Sequence, residues 1–321
     1  MTRNMTNKRL TTLVVGGGGF IGSHFVKLAT EHGGREVIVL GRSNKPRFPL
    51  PPGACYVQGD AGDTRLISEL LAKSDEVVDL AYATVPKTSF DDPVNDVLVN
   101  LPASVALLQE AAKHKLKCFV MVSSGGTVYG NAQYLPLDET HPTNPMSPYG
   151  ITKLALEKYA ILYHHLQGVP SIVVRPGNPY GPRQLGNLGQ GFIGAAMYAS
   201  LRRNPVITFG ERGTIRDYVF VEDLADGLLA VLDSGRVGET YNIGTGVGHD
   251  NRAVLDVLSN LVRTDGYSVE VEVRTLRPFD VAANVLSPAR LTYISGWRPK
   301  IDFAEGMRRT WEWALAEGSA P

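Results

Sequence analysis

Apolar positions in the first half of the chain alternate between two patterns. Short runs that are apolar at nearly every position, at 10–15, 37–40, 54–58, 77–81, 118–123 and 171–175, read as buried strands. Between them, at 20–30, 65–72, 94–114 and 149–167, apolar residues recur at the three-to-four spacing of a helix. Strands with no polar face, separated by helices, have to be covered on both sides. The pattern therefore predicts a doubly wound parallel α/β sheet.

Beyond residue 175 the texture changes, with stretches rich in Pro and Gly at 176–182 and 186–192. A helix near 192–203, a strand near 206–209, a helix over 223–232 and a strand ending at 241–244 follow, and Trp311 and Trp313 mark a terminal helix. Residues 219–246 read as a return to the first unit. We expect a dinucleotide-binding domain from 9–178 with 219–246, and a smaller, interleaved α/β lobe, mainly substrate-binding, from 179–218 with 247–321.

Composition narrows the function more by exclusion. The 321 residues carry 32 Lys plus Arg against 32 Asp plus Glu, so no overall field recruits nucleic acid or an anionic membrane. Cys55 and Cys118 lack metal-ligand spacing and fit a reducing compartment rather than a disulfide framework. None of the seven histidines has metal spacing either; His24, His164 and His165 fall on helices. The polar N-terminus lacks a secretory apolar run, and no window reaches the ~18 apolar residues of a membrane span. These features lead us to expect a cytoplasmic protein without a metal.

Candidate chemistry begins with GGGGFIG at 16–22, which follows the first strand and opens the first helix. Gly16, Gly19 and Gly22 let backbone amides and a helix N-terminus approach a pyrophosphate, which side chains would obstruct. In SPYGITK at 147–153, Tyr149 and Lys153 stand four apart on a helix and share one face. A neighbouring ammonium favours phenolate and lowers the tyrosine pKa from about 10 toward the working pH. Such a tyrosine can take a proton from a sugar hydroxyl while hydride leaves the same carbon. The end of the second strand, Leu40-Gly41-Arg42-Ser43, lacks the acid that would hold the ribose of NAD. Arg42 either meets the 2′-phosphate of NADP, or stacks on adenine or points to solvent. Asp60 is placed to accept from the adenine amino group, unless Asp60 or Asp63 is a helix N-cap.

In these motifs the chain resembles the extended short-chain dehydrogenase/reductase family, and within it the nucleotide-sugar epimerases of the UDP-glucose/UDP-galactose 4-epimerase kind. Further support comes from Asn100, SSGGTVYG at 123–130, RPGNPYGP at 175–182, RDYVFVED at 216–223 and RPFD at 277–280. The resemblance implies a Rossmann-type domain whose dinucleotide site adds Phe20, Ile21, Ala61, Leu80, Ala81, Ala83, Asn100, Ser123 and Pro176 to Gly16, Gly19, Gly22, Gly41, Arg42, Asp60, Tyr149 and Lys153. It implies Tyr149 as acid/base, Lys153 on the nicotinamide ribose, and Asn178 against the sugar nucleotide. Arg216 and Arg277 would grip its diphosphate. Asp280 would meet the nucleoside ribose, while Thr208 and Phe209 would line a uracil pocket. Lys87 and Arg183 are the nearest cations for a carboxylate substituent.

One position departs from that pattern. The family's catalytic Ser or Thr falls on Gly125, which has no hydroxyl to relay a proton. Either Thr127 or Ser124 supplies it from beside the gap, or Tyr149 acts directly, with extra room at Gly125 for a bulkier or charged substituent. The reading preferred from sequence is Thr127 assisting a direct Tyr149 mechanism. Gly126 and Thr127 also replace the Asp and Glu pair of the 4,6-dehydratases, which disfavours dehydration. A uronate decarboxylase would likewise carry Glu at Thr127.

The expected activity is therefore NAD-dependent epimerisation of a UDP-hexose at C4 through a transient 4-keto sugar, with NADP possible through Gly41 and Arg42. A 4-ketoreductase consuming NADPH is the alternative, and a non-catalytic dinucleotide sensor a minor one, since sensors of this fold tend to lack the Tyr/Lys pair. A polysaccharide precursor is the natural substrate class. The stripe Val97, Leu101, Val105 and Leu108 could be sheet-facing core, but the resemblance, which pairs this helix and the Tyr149 helix across a dimer, favours a homodimer face.

Overall fold

The structure is a computed structural model and describes residues 9–184, 191–275, 277 and 280–318. In chain order the first unit runs β1 (Leu10–Val15), α1 (Phe20–Glu31), β2 (Arg35–Gly41), β3 (Ala54–Gln58), α2 (Thr64–Leu71) and β4 (Glu76–Asp79). It continues through α3 (Pro86–Asp91), α4 (Pro93–Ala111), β5 (Cys118–Val122), α5 (Gly125–Val128), α6 (Pro148–Gln167) and β6 (Ser171–Pro176). There follow β7 (Asn178–Tyr180), α7 (Phe192–Leu201), β8 (Val206–Phe209), β9 (Ile215–Phe220), α8 (Val221–Ser234) and β10 (Thr240–Ile243). The rest comprises β11 (Gly248–His249), α9 (Asn251–Arg263), β12 (Val271–Arg274), β13 (Ala283–Asn284), α10 (Ala289–Ser295) and α11 (Phe303–Gly318).

Seven strands form one sheet in the order β10-β6-β5-β4-β1-β2-β3. Every neighbouring pair is parallel. The order reverses beside β1, which opens a crevice at the carboxyl ends of the strands. Side chains alternate across each strand, so both faces need apolar residues. Val14, Val39 and Val120 pack on one face with Phe25 and Leu228 of α1 and α8. Leu13, Val15, Phe119 and Met121 pack on the other with Ile67, Leu107 and Leu156 of α2, α4 and α6. This is the doubly wound sheet that the continuous apolar runs predict.

The strand expected over 77–81 stops at Asp79, whose carboxylate accepts the Ala81 amide at 3.1 Å and turns the chain. The helix expected over 94–114 ends at Ala111, and α3 precedes it. Leu108 of the Val97 stripe is fully buried, with Leu101 and Val105 packed beside it. Leu101 and Val105 are half-buried and Val97 is exposed, so the Leu108 end of the stripe packs into the core.

A third cluster, including Ile193, Met197, Leu258, Met307 and Trp311, joins α7, α9 and α11 into a small lobe. It carries the sheet β11-β9-β13, with β7 alongside β9, and the parallel pair β8-β12.

Candidate active site

A cleft of about 820 Å³ opens where the parallel strands end and the lobe faces them. All the residues expected to hold a dinucleotide line it, as do Lys87, Ser124, Thr127, Asn178, Arg216, Arg277 and Asp280. Gly125, Arg183, Thr208 and Phe209 do not.

The glycine loop explains one wall. A Cβ on Gly16, whose φ is +79°, would stand 3.0 Å from the Ala81 backbone, and one on Gly22 would stand 2.5 Å from the Gly17 Cα. No side chain fits either place. Gly19 caps α1 without a side-chain hydrogen bond, leaving the first amides of that helix for an anion. Such a cradle suits the pyrophosphate of NAD. Opposite it, Asn100 accepts the Ala83 amide at 2.7 Å and donates to Thr84 and to the Asp96 carbonyl. Its side chain holds the loop after β4 in place. Asp63 is the cap of α2, receiving the amides of Arg65 and Leu66, while Asp60 accepts the Gly62 amide at 2.7 Å.

Tyr149 and Lys153 project from the first turns of α6, which begins at Pro148 behind the Ser147 cap. Further along the helix, Glu157 receives Arg175 of β6 through two bonds at 2.9 and 2.6 Å, and the Ser123 hydroxyl at 2.5 Å. This buried pair fastens the helix to the sheet. The Tyr149 amide donates to Ser89 of α3 at 3.1 Å.

Lys153 donates to the Val122 carbonyl at 2.9 Å and stands 4.1 Å from the Tyr82 ring centroid, but 6.0 Å from that of Tyr149. Burial pushes its pKa down to about 8, against the opposing charges of Asp79, Glu157 and Asp96. The phenol of Tyr149 does not follow the expected trend: burial raises its pKa, and the influence of the Ser124 hydroxyl only partly offsets that. Expecting a depressed value treated the phenol as exposed, whereas Tyr149 is 8% exposed.

Gly125 is no vacancy. A Cβ there would meet Leu286 Cδ1 at 2.5 Å and the Pro176 and Arg175 carbonyls at 3.0 and 3.1 Å. The residue faces the sheet, so it offers no room for a substrate substituent. Ser124, one step earlier, lines the cleft, and its hydroxyl lowers the Tyr149 pKa. The Thr127 hydroxyl is buried without a hydrogen-bond partner among the described residues. Ser124 and Thr127 both line the cleft.

At the lobe side, Arg277 pairs with Asp280 through bonds of 2.8 and 2.9 Å and stacks 4.0 Å from the Phe209 centroid. The Asp280 carboxylate is thus engaged by its own neighbour. Arg216 donates to the Ile215 carbonyl at 2.8 Å. Burial lowers its pKa, opposed by Tyr218 and Asp280, and the like charge of Arg277 lowers it further. Two guanidinium groups near enough to repel would bind an anion together. Thr208 is buried off the cleft, and the Phe209 ring lies beneath Arg277. Arg183 stands over Phe48, 5.2 Å from its centroid, and does not line the cleft. Pro278 and Phe279 of the RPFD motif, and most of the loop at 186–192, lie outside the described residues.

Sequence reading missed a buried layer beneath the dyad. Asp96 of α4 accepts Thr152 of α6 at 2.7 Å, Thr84 by a short bond, and Tyr82 at 3.4 Å. Asp79, at the cleft end of β4, is pushed up to about 6 by burial, a shift opposed by Lys153. An acid ending the apolar run Val77-Val78-Asp79 was the signal for it; Asp96, between helix residues, gave none.

The family model described as the NAD dependent epimerase/dehydratase family matches residues 12–244. The UDP-glucose 4-epimerase of Mycolicibacterium smegmatis is 33% identical, covering 94% of this chain and 98% of its own. A UDP-glucose 4-epimerase of Thermotoga maritima, solved with UDP-glucose, superposes with a TM-score of 0.89 at 31% identity, over 96% of this chain and 99% of that one. A Thermus thermophilus UDP-glucose 4-epimerase, solved in complex with NAD, gives a TM-score of 0.87 at 34% identity, over 95% and 99%. With the family model spanning the sheet and the cleft, and both chains matched nearly end to end, the protein belongs to the NAD-dependent epimerase/dehydratase family.

Proposed function

We propose that the protein interconverts the C4 epimers of a UDP-linked hexose. The observation that carries this reading is that Ser124, Tyr149 and Lys153 line one cleft that runs from a glycine cradle to a pair of arginines. Ser124 passes the C4 hydroxyl proton to and from Tyr149, and Lys153 holds the ribose beside them. The nicotinamide, when bound, supplies a reversible hydride acceptor, so C4 can pass through a ketone and return on either face. Arg216 and Arg277 hold the diphosphate, and Asn178 orients the sugar. Lys87, exposed at the cleft mouth, is the cation nearest to a carboxylate substituent.

Gly126 and Thr127 leave no acid pair to expel water, which sets dehydration aside. The basic end of β2 keeps one rival reading, an NADPH-consuming 4-ketoreductase with the same dyad. Mixing the protein with UDP-glucose or UDP-galactose and no added reductant separates the two: an epimerase reaches a mixture of epimers, and a ketoreductase makes none.

We also propose a homodimer through α4 and α6, which pack together. Val94 and Leu98 on α4, and Ile151, Leu162 and Leu166 on α6, are exposed at helical spacing. The division into a dinucleotide domain and a substrate lobe is part of the same reading. Cys55 and Cys118 are both free thiols, which supports a cytoplasmic location. No helix among the described residues is long and apolar enough to cross a membrane.

A further inference from the structure

The arginines assigned to the diphosphate and the turn assigned to the proton relay lie in different parts of the molecule. Arg216 stands on β9 of the lobe, and Arg277 precedes β13, whereas Ser124 is the N-cap residue of α5 at the end of the main sheet. A strap at 281–287 touches both. It starts beside Asp280 and Val281 in the cleft wall, pairs in parallel with β9 so that Asn284 lies opposite Arg216, and then reaches α5.

Three sets of bonds fix this strap. Asp217, next in the chain to Arg216 and fully buried, accepts the Leu286 amide at 3.1 Å, together with the Thr245 and Gly246 amides and the Thr245 hydroxyl. Leu137 exchanges backbone bonds of 2.7 Å with Val285 and Ser287. Asn284 donates to the Gly125 carbonyl at 2.9 Å. That carbonyl belongs to a turn of two glycines, Gly125 and Gly126, which has little stiffness of its own and needs a bond from outside to hold it.

Asn284 is fully buried and does not line the cleft, and its Oδ1 has no hydrogen-bond partner among the described residues. A buried amide with an unpaired oxygen is costly, and an apolar side chain of similar size would fill the same space without that cost. Packing therefore does not account for an asparagine here, whereas its one bond to the catalytic turn does.

We propose that Asn284 is a positioning residue for the reaction: it fixes the Gly125 carbonyl relative to β9, and so sets the Ser124 hydroxyl in the cleft in register with the arginines that hold the diphosphate. The inference rests on the reading of Ser124 as the proton relay.

A double-mutant cycle on the full chain tests this, with UDP-glucose, UDP-N-acetylglucosamine and UDP-glucuronate as the sugars, UDP binding by calorimetry and parallel melting curves. Asn284→Ala should lower kcat by about 10- to 100-fold, the scale of a small misplacement of a reacting group, with KM and UDP affinity within about threefold of wild type. Asn284→Leu, which keeps the volume, should lose as much kcat without losing melting temperature. In a Ser124→Ala background either change should cost less than about twofold, because the group it positions is already gone. Equal losses in both backgrounds, a change in KM and UDP affinity with kcat untouched, or no loss in Asn284→Leu would overturn the positioning role and leave the relay in place. Full activity in Ser124→Ala, or no turnover of any of the three sugars by the wild type, would overturn the relay reading and the positioning role with it.

Discussion

The Lys153 ammonium stands 4.1 Å from the centroid of the Tyr82 ring, closer than to the phenol of Tyr149 four residues before it. Tyr82 also meets Tyr149 edge to face, with centroids 4.8 Å apart. One ring therefore positions both members of the dyad. A desolvated cation–π contact contributes about 2 kcal/mol, so Tyr82→Leu should lower kcat roughly 10- to 30-fold. Tyr82→Phe keeps the ring and loses only the long bond to Asp96, and should stay within about threefold of wild type. Steady-state rates with parallel melting curves check this; equal losses in the two variants would assign the effect to the hydroxyl.

The pH dependence follows from Lys153 and Asp79. Burial lowers the Lys153 pKa to about 8, and the Asp79 charge is the largest factor opposing that shift. The unfolded chain binds this proton up to about 10.5, so burying the ammonium costs stability at neutral pH, and the cost is relieved between about 8 and 10.5. Turnover that needs the ammonium should fall above pH 8. Asp79→Asn removes the opposing charge and should move the alkaline limb of the kcat/KM profile to lower pH. A limb that stays in place or moves up would show that Lys153 does not set it.

Ser124 and Thr127 make opposite predictions for the proton relay. General acid–base assistance contributes about 10²- to 10⁴-fold, so Ser124→Ala should lower kcat by at least about 10²-fold with KM little changed. Thr127→Ala should cost less than about threefold, because its hydroxyl has no partner among the described residues. The reverse order would restore the sequence-based preference.

Gly125 should reject a side chain. Gly125→Ser drives an oxygen-bearing group toward Leu286 and two carbonyls, and overpacking of this kind costs about 1–3 kcal/mol. Denaturant unfolding should register that loss with no gain in activity. A stable, more active variant would mean that the position faces the cleft after all.

Much of this molecule was legible in its sequence because both-face burial of a parallel sheet leaves apolar runs, and because a cradle for phosphate needs glycine where Gly16 and Gly22 stand. The dyad spacing was legible for the same reason: a helix fixes which residues share a face. What was not legible depends on direction rather than spacing. Whether Gly125 or Ser124 faces the cleft is set by the turn after β5, and Thr208 and Arg183 likewise fall outside the cleft lining. The layer of Tyr82, Thr84, Asp96 and Thr152 joins three elements through long-range bonds, so no local pattern announces it. The Val97 stripe was ambiguous because a core face and a dimer face carry the same periodicity.

The most direct test of the central claim uses UDP-galactose, or whichever C4 epimer the protein accepts, carrying deuterium at C4 in ordinary water. Removal and return of hydride within one closed site predicts an inverted C4 that keeps its deuterium, with no net consumption of dinucleotide. Epimer formed with loss of the label to water, or one reduced dinucleotide oxidised for each product, would contradict it.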